Sequence, residues 1–210
     1  GPDAETLRRR LLAGEDGLVP MRRVDLGGLR LNLLTSEVRA SGDDAIGWAR
    51  RAAEEALRDA NAALSINSNY AEALRVRALA YARQFDYQKA LDDCDEYMKK
   101  VSQPPADVYA TRALALVHLK RFPEAVEDYS QAARMSPENG DYLAGKAEAL
   151  KESQQYREAI AAVDKAINVL GRRIELLRLR GDCYALNNDL DNAVKDYEAV
   201  ASISPRKENY

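Results

Sequence analysis

The sequence predicts an all-α fold built of stacked helix pairs, and three observations predict it. The composition favours helix: 35 of the 210 residues are alanine, against 11 glycines and 7 prolines. An alanine recurs at Ala56, Ala90, Ala125, Ala159 and Ala193, at a spacing of 34 residues with one spacing of 35. Around that alanine, small and large residues return in one register. With 46% hydrophobic and 31% charged residues the chain is a foldable mix.

Four units start at Ala71, Ala106, Gly140 and Ile174, and positions are counted from these residues. Position 4 reads Leu74, Tyr109, Leu143 and Leu177. Position 8 is small: Ala78, Ala113, Ala147 and Gly181. Position 11 is large: Tyr81, Leu116, Leu150 and Tyr184. Position 17 reads Tyr87, Phe122, Tyr156 and Leu190, and position 24 reads Cys94, Tyr129, Val163 and Tyr197. Position 32 reads Ser102, Pro137, Gly171 and Pro205. The extra residue in one spacing falls in the Ser102-Gln103-Pro104-Pro105 joint.

Each unit holds two apolar stretches of helical period joined by a few polar residues, such as Arg83-Gln84-Phe85-Asp86 or Asn187-Asn188-Asp189. A unit is therefore a helix, a short turn and a second helix. The small residues at positions 8 and 20 let the two helices approach, and the large ones fill the space around them. One such pair cannot bury its apolar face alone, so neighbours must stack.

This pattern resembles the tetratricopeptide repeat (TPR) family. The resemblance implies a right-handed α-α superhelix of about four full repeats plus a divergent N-terminal repeat. It divides the chain into residues 1–2, read as an expression scar, and 3–40, an N-terminal extension with a divergent first helix. The second helix of repeat 1 follows at 41–70. Repeats 2, 3 and 4 occupy 71–105, 106–139 and 140–173, and repeat 5 with a tail occupies 174–210. Helix-like pieces are read at Glu5–Leu12 and Gly28–Arg39, and loops at Gly14–Met21 and Ala40–Asp44. Ser41 or Asp43 is expected to cap the helix that runs to Ile66. Trp48 is expected just before that helix, as core packing or a hydrophobic staple. Only Arg206–Tyr210 follow the last unit, so the chain is expected to be a fragment from which further chain has been cut.

Position 7 is basic in all four units: Arg77, Arg112, Lys146 and Arg180. Sixteen residues on stand Asp93, Asp128, Ala162 and Asp196, so the three arginines face an aspartate and the lysine an alanine. The spacing predicts a structural ion pair between the two helices of three units.

Several function classes are set aside by composition. There is one histidine, so a multi-histidine metal centre is excluded, and neither a metal nor a cofactor is expected. No Gly-rich phosphate loop or nucleophile–base pair is visible, and no enzyme activity is expected. The net charge of −3 argues against a nucleic-acid partner. Arg8-Arg9-Arg10, Arg22-Arg23 and Arg172-Arg173 read as solvated surface. No apolar run approaches the roughly 18 residues of a membrane span, so no membrane partner is expected. Cys94 and Cys183 lie inside helical patterns and read as small buried thiols. The expected location is cytoplasmic.

Stacked helix pairs curve and present a concave face lined by their first helices. The family resemblance puts positions 2, 5, 6, 9, 12 and 13 on that face. Leu79, Leu114 and Val117 then form an apolar stripe, and Glu148, Glu152 and Asp182 bring acids toward the C-terminal half. The candidate partner-binding residues are Arg75, Leu79, Thr111, Leu114, Val117, His118, Glu148, Arg178 and Asp182. The partner expected is a protein segment with apolar and basic residues. The alternatives are an assembly element that self-associates or docks domains through its ends or convex face, and a co-chaperone with a non-standard tail clamp. The family's usual carboxylate clamp would fall on Arg75, Leu79, Thr111, Asp141 and Gly145, or one unit on with Glu175, where an acid would repel the ligand.

Overall fold

A computed structural model describes residues 42–203. The expectations for residues 1–41, the scar at 1–2 included, and for 204–210 lie outside that range. Nine α-helices and no strand are present among the described residues: α1 (Gly42–Ile66), α2 (Ala71–Arg83), α3 (Tyr87–Lys100), α4 (Ala106–His118), α5 (Phe122–Met135), α6 (Gly140–Glu152), α7 (Tyr156–Leu170), α8 (Ile174–Leu186) and α9 (Leu190–Ile203). The first helix of each full unit begins at position 1 and the second at position 17.

One boundary differs from the sequence expectation. The helix starts at Gly42, so Asp43, Asp44 and Trp48 lie inside it rather than before it. Ala45 and the alanines from Ala49 onward favour helix and extend it past the staple position.

Helices α2 and α4, of 13 residues each, and α3, of 14, are too short to be stable alone in water. They are held by packing. Each helix packs on the next in sequence, and first helices α2, α4, α6 and α8 also touch one another in series. The inner layer is thus made of first helices and the outer layer of second helices. The repeated alanine, at Ala90, Ala125, Ala159 and Ala193, is buried to 2% exposure or less in every unit. Position 24 fills the space beneath the next first helix: Tyr129 is 2% exposed and lies against Gly145 of the following unit.

The turn inside each unit closes by one device. Position 15 has positive φ throughout: Phe85 (63°), Lys120 (61°), Gln154 (62°) and Asn188 (62°). The next amide bonds back to the position-11 carbonyl, as in Asp86 N to Tyr81 O (2.9 Å) and Arg121 N to Leu116 O (2.8 Å). The position-15 amide bonds to position 12, as in Lys120 N to Val117 O (3.0 Å). This is a Schellman ending, here with side chains where glycine is usual. The bonds fix the angle at which the second helix leaves.

The helix-to-helix ion pairs are present in three units. Arg77 binds Asp93, Arg112 binds Asp128 and Arg180 binds Asp196, each through two hydrogen bonds of 2.6–2.8 Å. The third arm of each arginine reaches the second helix of the preceding unit, at Asn61, Asp95 and Asp164. One guanidinium therefore ties three helices. Burial pushes the Asp128 carboxyl up while Arg112 pulls it down. On balance Asp128 stands above its ordinary value, and Arg112 is itself held above its own, chiefly by the bond to Asp128.

Candidate functional site

The inner layer carries a cleft of about 400 Å³ between units three and four, lined by Val117, His118, Lys120, Phe122, Glu148, Lys151 and Glu152. Val117 and His118 come from the last turn of α4. The Schellman turn swings Lys120 to the rim and starts α5 at Phe122. Glu148, Lys151 and Glu152 face them from one side of α6, at helical spacings of three and four.

His118 stacks on Tyr87 of the preceding unit, with ring centroids 3.8 Å apart and planes 7° from parallel. Burial on that face lowers its pKa, so the ring is neutral at pH 7. Glu148 is exposed as a residue but lines the concave side of the cleft, where its carboxyl is partly desolvated. This desolvation raises its pKa, with Lys151 opposing and Glu152 adding to the rise. Glu148 makes no hydrogen bond or ion pair among the described residues. Lys151 and Glu152 approach at 3.4 Å and offset one another.

The structure brings three of the candidate residues, Val117, His118 and Glu148, to this one cleft. Leu114 and Val117 are partly buried and pack against the core that contains Leu116 and Tyr129. Leu79 and Thr111 are half-buried on α2 and α4. Arg75 is taken up internally: it binds Glu72 on its own helix and Asp107 on α4. Asp182 accepts a hydrogen bond from Tyr197 (2.8 Å). Arg178 is exposed on α8. Lys120 and Phe122 lay outside the sequence expectation, because the first-helix pattern does not include the turn that delivers them.

Neither thiol offers a reactive site. Cys94 and Cys183 are buried and free. Burial raises both, Cys183 to about 11. No helix among the described residues is long and apolar enough to cross a membrane.

Comparison with known proteins gives a consistent picture. Sequence models of the tetratricopeptide repeat match residues 116–183 and 175–207. A DnaJ homolog subfamily C member 7 homolog from Dictyostelium discoideum is 30% identical over 101 residues, 47% of this chain and 19% of that protein. The DnaJ protein P58IPK homolog B from Oryza sativa subsp. japonica is 29% identical over 86 residues, 39% of this chain and 18% of that protein. This chain thus spans less than a fifth of the length of these relatives. Among solved structures, YrrB, described as a TPR protein with an unusual peptide-binding site, superposes with a TM-score of 0.66 at 17% identity, covering 75% of this chain and 80% of that one. MamA from Desulfovibrio magneticus RS-1 superposes with a TM-score of 0.68 at 20% identity, covering 81% of this chain and all of that one.

Proposed function

We propose that this chain, whose residues 116–183 and 175–207 match tetratricopeptide repeat models, is a protein-interaction scaffold that holds an extended segment of a partner protein along its concave layer, anchored in the cleft between units three and four. The observation that carries this reading is Glu148, an unpaired and crowded carboxylate beside the apolar side chains of Val117 and Phe122. An apolar side chain of the segment fills the cleft, and a neighbouring Lys or Arg meets Glu148. A cation arriving there meets a carboxylate that is already partly desolvated, so the contact is stronger than on open surface. The peptide-binding site named for YrrB is in keeping with this use of the fold.

The test is selection of peptides from a random library against the full chain. Selected peptides are expected to share an apolar residue next to a basic one and to lose binding to Glu148→Lys. Peptides without a basic residue, or undiminished binding to the variant, would sink the reading.

A second reading rests on α9, where Leu190 is 60%, Val194 51% and Ile203 49% exposed among the described residues. Such a row suits an assembly element that pairs with a second copy. Light scattering across concentration separates the readings, since a constant monomer mass excludes self-association. The DnaJ names of the relatives favour a co-chaperone role, but Arg75, the cation of the clamp positions, is already bound to Glu72 and Asp107.

A further inference from the structure

Unit four lacks an acid that the other three full units possess. At position 7 it has Lys146, at position 23 Ala162, and at position 25 of the unit before it Ser130, whose hydroxyl bonds to Val126 O (2.5 Å). Each equivalent arginine is held by an aspartate in its own unit and by Asp or Asn in the preceding one. Lys146 makes no hydrogen bond or ion pair among the described residues.

A slot of about 360 Å³ opens beside it. Leu143, Lys146 and Leu150 of α6 form its floor, Val126 of α5 one wall, and Ala162 and Lys165 of α7 the other. It lies between two second helices and so on the outer layer, away from the cleft. Gln155, Glu158 and Ala161 complete the lining. Desolvation lowers the pKa of Lys146, and the positive charges of Lys165 on α7 and Arg134 on α5 add to the lowering. Glu158 is the one acid in the lining and is exposed. Asp164, the nearby acid on α7, is committed to Arg180 (2.7 Å).

We propose that this slot receives the carboxylate of an Asp or Glu side chain from an extended segment of a partner protein. The incoming acid takes the place the chain's own aspartate occupies in the other units. The apolar lining from Val126, Leu143, Leu150 and Ala162 suits a side chain with its stem, not a free hydrated anion. The site is independent of the concave cleft and would let the scaffold hold two partners, or two parts of one, on opposite layers.

The test follows backbone amide resonances of the full chain during titration with a capped peptide rich in glutamate and leucine. Parallel titrations use the same peptide with glutamine for glutamate, and inorganic phosphate. Saturable shifts are expected at Lys146, Ala162 and Lys165 with the acidic peptide alone. Binding is expected to weaken at least about tenfold, roughly one pairing contact, in Ala162→Asp, which supplies the internal acid, and in Lys146→Gln. Both variants should stay folded, since aspartate already stands at position 23 in three units and Lys146 has no partner to lose. The proposal is overturned if these amides do not shift, if Ala162→Asp binds as tightly as the parent chain, or if the glutamine peptide or phosphate matches the acidic peptide.

Discussion

Arg112 and Asp128 are joined by two parallel hydrogen bonds, Nε to Oδ2 at 2.7 Å and Nη2 to Oδ1 at 2.8 Å, while the remaining arm of Arg112 reaches Asp95 at 3.0 Å. Asp128 keeps 5% of its side-chain surface and Arg112 26%. The pair is therefore more than a surface salt bridge and less than a fully buried one. Removing Asp128 leaves a half-buried guanidinium with Asp95 alone. Asp128→Ala is expected to cost about 1–3 kcal/mol, and the Arg112→Met/Asp128→Ala double variant less than the single one. Urea unfolding of both variants checks the order.

Close approach at Gly145 makes a second prediction. A Cβ there would stand 2.5 Å from Cζ of Tyr129, and Tyr129 is 2% exposed, so the ring has nowhere to go. At Gly181 a Cβ would meet the Tyr197 ring at 2.8 Å, but Tyr197 is 39% exposed and can turn away. Gly145→Ala is expected to destabilise by about 1–3 kcal/mol and Gly181→Ala by clearly less. Thermal unfolding of the two proteins side by side tests this, and equal losses would contradict the packing described.

The left-handed turn residues give a prediction of opposite sign. Gln154 holds φ at 62° with its side chain exposed, and a side chain in that region is strained. Gln154→Gly is expected to stabilise by about 0.5–1 kcal/mol, the strain relieved less the entropy glycine gains in the unfolded chain. The urea midpoint should rise, and a fall would show that the Gln154 side chain contributes more than its backbone costs.

Two titrating groups set the pH behaviour. Burial against Tyr87 lowers the folded-state pKa of His118 below 6.5, so the unfolded chain takes the proton more readily. The resulting stability is fully present above pH 6.5 and lost as pH falls from there through the lower folded-state pKa, and His118→Gln should flatten this part of the stability curve. Glu148 is shifted upward from 4.5, so it gains its proton at a higher pH than an ordinary carboxyl. Affinity for a basic segment should decline as pH falls through that raised value, and Glu148→Gln should remove the decline. Calorimetry of a selected peptide between pH 7.5 and about 4.5, the ordinary glutamate value, checks this.

The sequence made the helix order readable because packing repeats: Ala90, Ala125, Ala159 and Ala193 can only be small where two helices cross. It also made the Arg–Asp pairs readable, since sixteen residues return a first-helix position to its partner across the turn. The third arm of each arginine was not legible, because Asn61, Asp95 and Asp164 belong to the preceding unit and the match appears only when units are stacked. The turn geometry was hidden for another reason. Phe85, Lys120 and Gln154 do not advertise a left-handed backbone as glycine or asparagine would, and so Lys120 and Phe122 at the cleft were not anticipated. Arg75 was legible as a cation on the inner layer but not as one already bound to Asp107. The helix start at Gly42 was obscured by Gly42, Gly47 and two aspartates, whose local preferences are outweighed by the helix that follows.

The most direct test of the central claim is mapping a library-selected peptide onto the full chain by amide chemical shifts. The largest shifts are expected at Val117, His118, Lys120, Glu148 and Glu152, running on along α6 and α8, and they should vanish in Glu148→Lys. Shifts confined to α9, or to the second helices α5 and α7, would contradict a concave binding site.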